Sequence, residues 1–324
     1  MSQLKLTGIF LSLVLLLHHC QAQVNYPAPV HYIHLTIENK KVKMAYMDIP
    51  SAVEGNKVIV LLHGKNFNGY YWKNLVPFLT SAGFRVIIPD QVGWGKSDKP
   101  DLHYSFHLLA YNTKILLDSL KVRKAIVLGH SMGGMLAIRF SLLFPDRVGR
   151  LILEDPIGLE DYKTFVSYQK IDELFKKERS ATYESYKRYQ QGYYPEWKPD
   201  YEQYVKAQAE VLKGPGFEKI AWANALTTDM IYQQPVIYEI EELKIPVLLV
   251  IGQVDRTIVG KDLLSDAAKT EHGNYPEMGR QFKNRVTNSI VVELSGIGHI
   301  PHIQDLQLFE NSINSFLLNQ VEEF

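Results

Sequence analysis

Apolar residues along this chain fall into short unbroken runs set apart by longer stretches of mixed character. Lys57-Val58-Ile59-Val60-Leu61-Leu62, ending in His63-Gly64, is one such run; residues 84–90, 123–130, 150–155, 245–252 and 289–294 are others. Short apolar runs rich in β-branched residues and closed by glycine or a polar residue read as strands of a parallel sheet buried on both faces. Between the runs, apolar spacing predicts helices, among them one within 101–120, one from Met135 onward and one over 305–318. Strand alternating with helix implies a doubly wound, mostly parallel sheet with right-handed crossovers. The start departs from this rhythm. Residues 30–37 alternate apolar and polar, and after the turn Glu38-Asn39-Lys40-Lys41 residues 42–47 read as their partner strand, which predicts an antiparallel hairpin.

From Gly158 to about Glu242 the strand rhythm stops. The segment is helical in character and holds more than half of the chain's 19 tyrosines. It is expected to be a helical cap, residues 158–242, inserted into a sheet domain made of 23–157 and 243–324. Most of its tyrosines are expected to pack by their rings with hydroxyls at the surface, and a few to face the cleft.

The run at 123–130 leads into Gly129-His130-Ser131-Met132-Gly133-Gly134, with the predicted helix directly after it. A G-x-S-x-G sequence between a buried strand and a helix is the setting of a nucleophile elbow, where glycines two before and two after the serine let strand and helix close tightly. A serine hydroxyl needs a base, and the base needs an acid that fixes its tautomer. Both stand downstream, each beyond the carboxyl end of a strand: Asp255 in Gly252-Gln253-Val254-Asp255 and His299 in Gly298-His299-Ile300-Pro301. Ligands of such sheets bind on that side. Asp155, at the end of the 150–155 run, is an alternative acid, and His302 an alternative base. His299 is favoured because Gly298 lets its loop approach the serine. His63 and His130, beside glycines in tight turns, read as structural hydrogen-bonders. The two oxyanion N–H groups are expected from Met132 and from Lys65, with Asn66 as the alternative to Lys65. The histidines lack metal-ligand spacing, so the expectation is no metal and no cofactor.

Composition narrows the partners. With 46% hydrophobic residues, 22% charged residues and zero formal net charge, the chain has the profile of an ordinary globular protein. No basic stripe points to nucleic acid, so the expected partner is a small-molecule substrate. Met1–Ala22 has a lysine near its start, an apolar centre and small residues before Gln23, as a cleavable secretory signal does. A secreted or periplasmic location is expected, with no stable membrane span, because the apolar centre is too short to cross a bilayer. The only cysteine, Cys20, lies in that segment.

His63-Gly64, Asp90-Gln91-Val92-Gly93-Trp94-Gly95-Lys96-Ser97-Asp98, Gly129-His130-Ser131-Met132-Gly133-Gly134, Gly252-Gln253-Val254-Asp255 and Gly298-His299-Ile300-Pro301 together resemble the landmarks of the α/β-hydrolases, in their order. Within them the chain resembles the capped, epoxide-hydrolase-like branch. That resemblance implies an α/β-hydrolase fold over essentially the whole mature chain. Epoxide hydrolases and haloalkane dehalogenases of this branch carry an aspartate at the elbow. Ser131 stands there instead, which disfavours those activities. What the resemblance implies is a serine hydrolase cleaving a small carboxylic ester or related acyl bond. The alternatives are hydrolysis of the C–C bond of a meta-cleavage product, or a non-catalytic ligand receptor on the same fold.

Overall fold

The computed structural model describes residues 25–55 and 57–318. The signal expected over Met1–Ala22 lies outside the described residues. β1 (Val30–Ile37) and β2 (Lys40–Ile49) form the predicted hairpin, turning at Glu38 and Asn39 in left-handed backbone. The remaining strands are β3 (Lys57–Leu62), β4 (Phe84–Pro89), β5 (Ala125–His130), β6 (Val148–Glu154), β7 (Val247–Gly252) and β8 (Ser289–Leu294). All eight join one sheet in the order β1-β2-β4-β3-β5-β6-β7-β8. β2 pairs antiparallel with β4, and every later pairing is parallel. β5, buried along its whole length, lies between β3 and β6.

Predicted boundaries shift where local chemistry intervenes. The ladder of β7 begins at Val247 and not at Ile245, because Pro246 has no N–H to give it. The helix expected within 101–120 is Phe106–Ser119; residues 101–105 stay outside it, and Ser105 caps it by accepting the Leu108 N–H at 3.0 Å. The helices are α1 (Val76–Ser81), α2 (Phe106–Ser119), α3 (Met132–Leu143), α4 (Ile171–Arg179), α5 (Tyr183–Gln191), α6 (Glu202–Ala209), α7 (Phe217–Gln233), α8 (Asp266–Glu271), α9 (Tyr275–Arg285), α10 (Pro301–Gln304) and α11 (Leu306–Leu318).

The strand period of two splits the core between the faces of the sheet. On one face Val127, Leu151 and Leu249 meet Leu136 and Phe140 of α3, Leu116 of α2 and Phe282 of α9. On the other, Ile126, Leu128 and Ile152 meet Trp72, Leu79 of α1 and Phe309 of α11. Helices α4 to α7 all fall between β6 and β7, α4 against α7 and α5 against α6. Their tyrosines differ from expectation. Tyr162, Tyr186, Tyr193, Tyr194, Tyr201 and Tyr204 are buried, and Tyr168, Tyr189 and Tyr238 are exposed. Tyr193, Tyr194, Tyr201 and Tyr204 join the core on one face of the sheet, where Tyr194 stacks on Tyr201 at 4.0 Å between centroids.

Candidate active site

β5 ends at His130 and α3 begins at Met132, so a single residue reverses the path. Ser131 does so with φ 56° and ψ −121°. Left-handed backbone is costly for a residue with a Cβ, and it persists only where neighbours fix it. The Ser131 N–H donates to the Glu154 carbonyl at 3.1 Å, and its own carbonyl accepts from Gly134 at 2.9 Å and Ile157 at 3.2 Å. The two flanking glycines are obligatory: a Cβ at 129 would lie 2.2 Å from the Gly133 oxygen, and one at 133 would lie 2.1 Å from the Leu62 oxygen.

The parallel register brings the ends of β5, β6, β7 and β8 to one edge, and with them Ser131, Asp155, Asp255 and His299. His299 Nε2 is 3.0 Å from Ser131 Oγ, and its Nδ1 is 2.6 Å from Asp255 Oδ2. The second oxygen of Asp255 accepts the Thr257 N–H at 2.8 Å. A carboxylate only accepts, so the histidine proton sits on Nδ1 and Nε2 is left bare toward the serine. Ser131, Asp255 and His299 are 7%, 2% and 1% exposed, so these contacts act with little water between them.

The competing residues are engaged elsewhere. His302 Nδ1 lies 2.8 Å from Glu154 Oε1, and its ring stacks on Trp72 at 4.3 Å. His63 Nδ1 lies 2.9 Å from the Gly64 carbonyl, and its Nε2 accepts the Gln91 N–H at 3.1 Å. Burial pushes its pKa down, as it does more strongly for His130, where His299 and His302 add to the effect. Asp155 takes the Gly252 N–H at 2.9 Å and lies against Asp255 rather than His299. Burial, and then the charge of Asp255, push its pKa well above the carboxylate range. Asp155 is therefore the member of this carboxyl pair that holds its proton more readily than an ordinary aspartate.

One neighbour of the histidine was not legible in the sequence. The His299 N–H donates to the carbonyl of Tyr193, in the loop after α5, at 2.8 Å. The Tyr193 ring lies 4.9 Å from the His299 ring, and its hydroxyl accepts from Asn66 Nδ2 at 2.8 Å. Gly298 therefore has a different reason from the one expected. A Cβ there would lie 2.2 Å from the Tyr193 oxygen, so the small residue makes room for the inserted segment, not for the serine. Tyr193 stands in a run of similar tyrosines, and only the bare glycine at 298 hinted that something approaches closely.

Met132 opens α3, so its N–H has no acceptor within the helix. The Lys65 carbonyl accepts from Trp94 Nε1 at 2.6 Å, and its ammonium reaches Glu178 of α4 at 3.4 Å. A cavity of about 250 Å³ opens beside this loop, lined among others by Lys65, Asn66, Trp94, Gln208 and Asn224. Among the described residues no group of three or more His, Cys, Asp or Glu is arranged to hold a metal ion. Nor is any described helix long and apolar enough to cross a membrane.

Residues 57–306 match the model of a family described as having the alpha/beta hydrolase fold. A crystal structure of a probable hydrolytic enzyme from Pseudomonas aeruginosa PAO1 is 41% identical, covers 91% of this chain and 96% of its own, and superposes with a TM-score of 0.89. The 2-hydroxy-6-oxononadienedioate/2-hydroxy-6-oxononatrienedioate hydrolase of Burkholderia vietnamiensis is 29% identical over 235 residues, 70% of this chain and 80% of that protein. The 2-hydroxy-6-oxo-6-phenylhexa-2,4-dienoate hydrolase of Burkholderia cepacia is 38% identical over 130 residues, but that match spans only 45% of its length.

Proposed function

Because this chain belongs to the alpha/beta hydrolase family, we propose that Ser131, His299 and Asp255 are the nucleophile, base and acid of a hydrolase that cleaves a bond to a carbonyl carbon, first of all the C–C bond of a ring-fission dienoate. The observation that carries the triad is the unbroken path from Ser131 Oγ to His299 at 3.0 Å and on to Asp255 at 2.6 Å. In this reading His299 Nε2 takes the serine proton as Oγ attacks the carbonyl carbon. The oxyanion that develops meets the N–H groups of Met132 and Lys65, aided by the positive end of α3. His299 then gives its proton to the departing carbon or oxygen. Water, activated by the same histidine, releases the acid and regenerates Ser131.

The named activities of the two Burkholderia relatives support C–C cleavage as the first reading. Ester hydrolysis is the second. It is favoured by the economy of the site: an alkoxide leaving group needs no more than the histidine proton, whereas a carbon leaving group must also be stabilised as an enolate. Helices α4 to α7 would then roof the serine and set the choice of substrate. Initial rates on a 2-hydroxy-6-oxo-dienoate and on p-nitrophenyl esters of increasing chain length discriminate the two, and faster turnover of the ester series reverses the order. Ser131→Ala is expected to lower either rate by a factor of about a thousand or more. Undiminished turnover in that variant removes the triad reading.

A further inference from the structure

Two buried side chains beside the serine have no part in that scheme. Tyr71 is 1% exposed and His130, the residue before the nucleophile, is 0% exposed. They form a chain of hydrogen bonds with ends of known polarity. The Gly64 N–H donates to the Tyr71 hydroxyl oxygen at 2.9 Å. That oxygen lies 3.2 Å from His130 Nδ1. His130 Nε2 lies 2.8 Å from the backbone carbonyl of His299. A carbonyl only accepts, so Nε2 must carry the hydrogen. In a neutral ring Nδ1 is then bare, and the Tyr71 O–H must point to it. A single proton arrangement therefore satisfies every member of the chain, and it runs from the loop of Lys65 to the loop of His299. The phenol is fixed sideways as well: Phe67 stacks on it at 4.7 Å with planes 8° apart, and His302 meets its other flank edge-on at 4.8 Å.

We propose that Tyr71 and His130 are positioning residues, a rigid strut that sets the distance between the oxyanion loop at Gly64-Lys65 and the catalytic histidine loop at His299. This inference rests on the triad reading given above. The strut passes behind Ser131, whose Cβ stands 3.2 Å from where a side chain at Gly64 would begin. The nucleophile, one N–H donor and the base thus share a single frame. Loss of the strut frees the two loops to move relative to each other, and misplacement of about 1 Å costs on the order of 100-fold in rate.

The test is the rate constant for phosphonylation of Ser131 by a small fluorophosphonate, measured well below the unfolding transition, beside kcat and KM on the best substrate found. Tyr71→Phe removes both hydrogen bonds of the phenol, and is expected to slow phosphonylation and kcat by about 10- to 100-fold with KM within about twofold. His130→Gln keeps a donor where Nε2 reached the His299 carbonyl, whereas His130→Asn keeps only an acceptor near Nδ1; the glutamine variant is expected to be the faster. The double variant Tyr71→Phe/His130→Asn is expected to be no slower than the slower single variant, since both cut one chain. Wild-type phosphonylation rates in a Tyr71→Phe protein with a lowered thermal midpoint would make these residues packing only. Multiplying effects in the double variant, or equal rates for the two His130 variants, also overturn the strut; the His130 pair decides the matter if Tyr71→Phe does not fold. If wild-type protein is not labelled at Ser131 at all, the triad reading falls first and this inference with it.

Discussion

Asp155 carries more consequence for the charge of the site than any residue that touches the serine. It sits at the end of β6 with φ 37°, fully buried, its carboxyl between the Gly252 N–H and Asp255. Two carboxyls sharing a dry site cannot both ionise cheaply, so one keeps its proton. Burial and the charge of Asp255 raise the Asp155 pKa, and Asp255 is the one of the two that faces His299. Linkage follows with a definite sign. The folded pKa is raised, so as pH climbs past the ordinary aspartate range, near 4, the unfolded chain releases this proton first. Stability from this group is therefore full at low pH and is lost as pH rises. Asp155→Asn cannot titrate and suits left-handed backbone better, so its thermal midpoint should gain on wild type steadily from about pH 4 upward. A gap that stays flat over that range would mean Asp155 ionises like an ordinary surface carboxyl. Activity of the asparagine variant should stay within about tenfold of wild type, since its amide donates to Asp255 as the acid does, whereas Asp255→Asn, which presents the wrong partner to His299 Nδ1, should lose roughly 10,000-fold.

At the scale of elements, what the sequence reveals depends on whether a constraint is local. The elbow was legible because strand β5, one strained residue and helix α3 leave no room for side chains at 129 and 133, and both positions are glycine. Asp255 and His299 were legible because each follows a strand within a few residues. Tyr193 was not, for its contact joins a loop of the inserted helices to the turn after β8, and Gly298 beside one end hints at a close approach without naming what approaches. The burial of the tyrosines was misread for the same reason: an amphipathic stretch shows that one face is covered, not how thick the cover is. Gly298→Ala tests the inserted contact directly. With a Cβ 2.2 Å from the Tyr193 carbonyl, either the His299 N–H bond breaks or the loop after α5 withdraws. The expected result is a loss of about 1–3 kcal/mol in unfolding free energy and a fall in kcat larger than the change in KM. Equal kcat with a normal midpoint would show that the two loops part without effect on the histidine.

For the molecule as a whole, the doubly wound sheet followed from apolar rhythm, because a parallel strand buried on both faces writes an unmistakable run, and the order of the loops that carry Ser131, Asp255 and His299 followed from the short motifs that close three of those strands. The location of the protein in the cell has no counterpart among the described residues. The reading of Met1–Ala22 as a cleaved signal is checked by N-terminal sequencing of exported protein, which should begin near Gln23; an intact Met1 in a cytoplasmic fraction contradicts it. The bond between residues 193 and 299 also bears on timing. Ser131 is 7% exposed and His299 1%, so a shift of the inserted helices would change how far both are open to a substrate. Any shift that carries the Tyr193 carbonyl away removes the acceptor of the histidine's own backbone amide. Under the proposed triad, access and reactivity would be interlocked: a shift that took the Tyr193 carbonyl away would also cost the histidine one of its anchors.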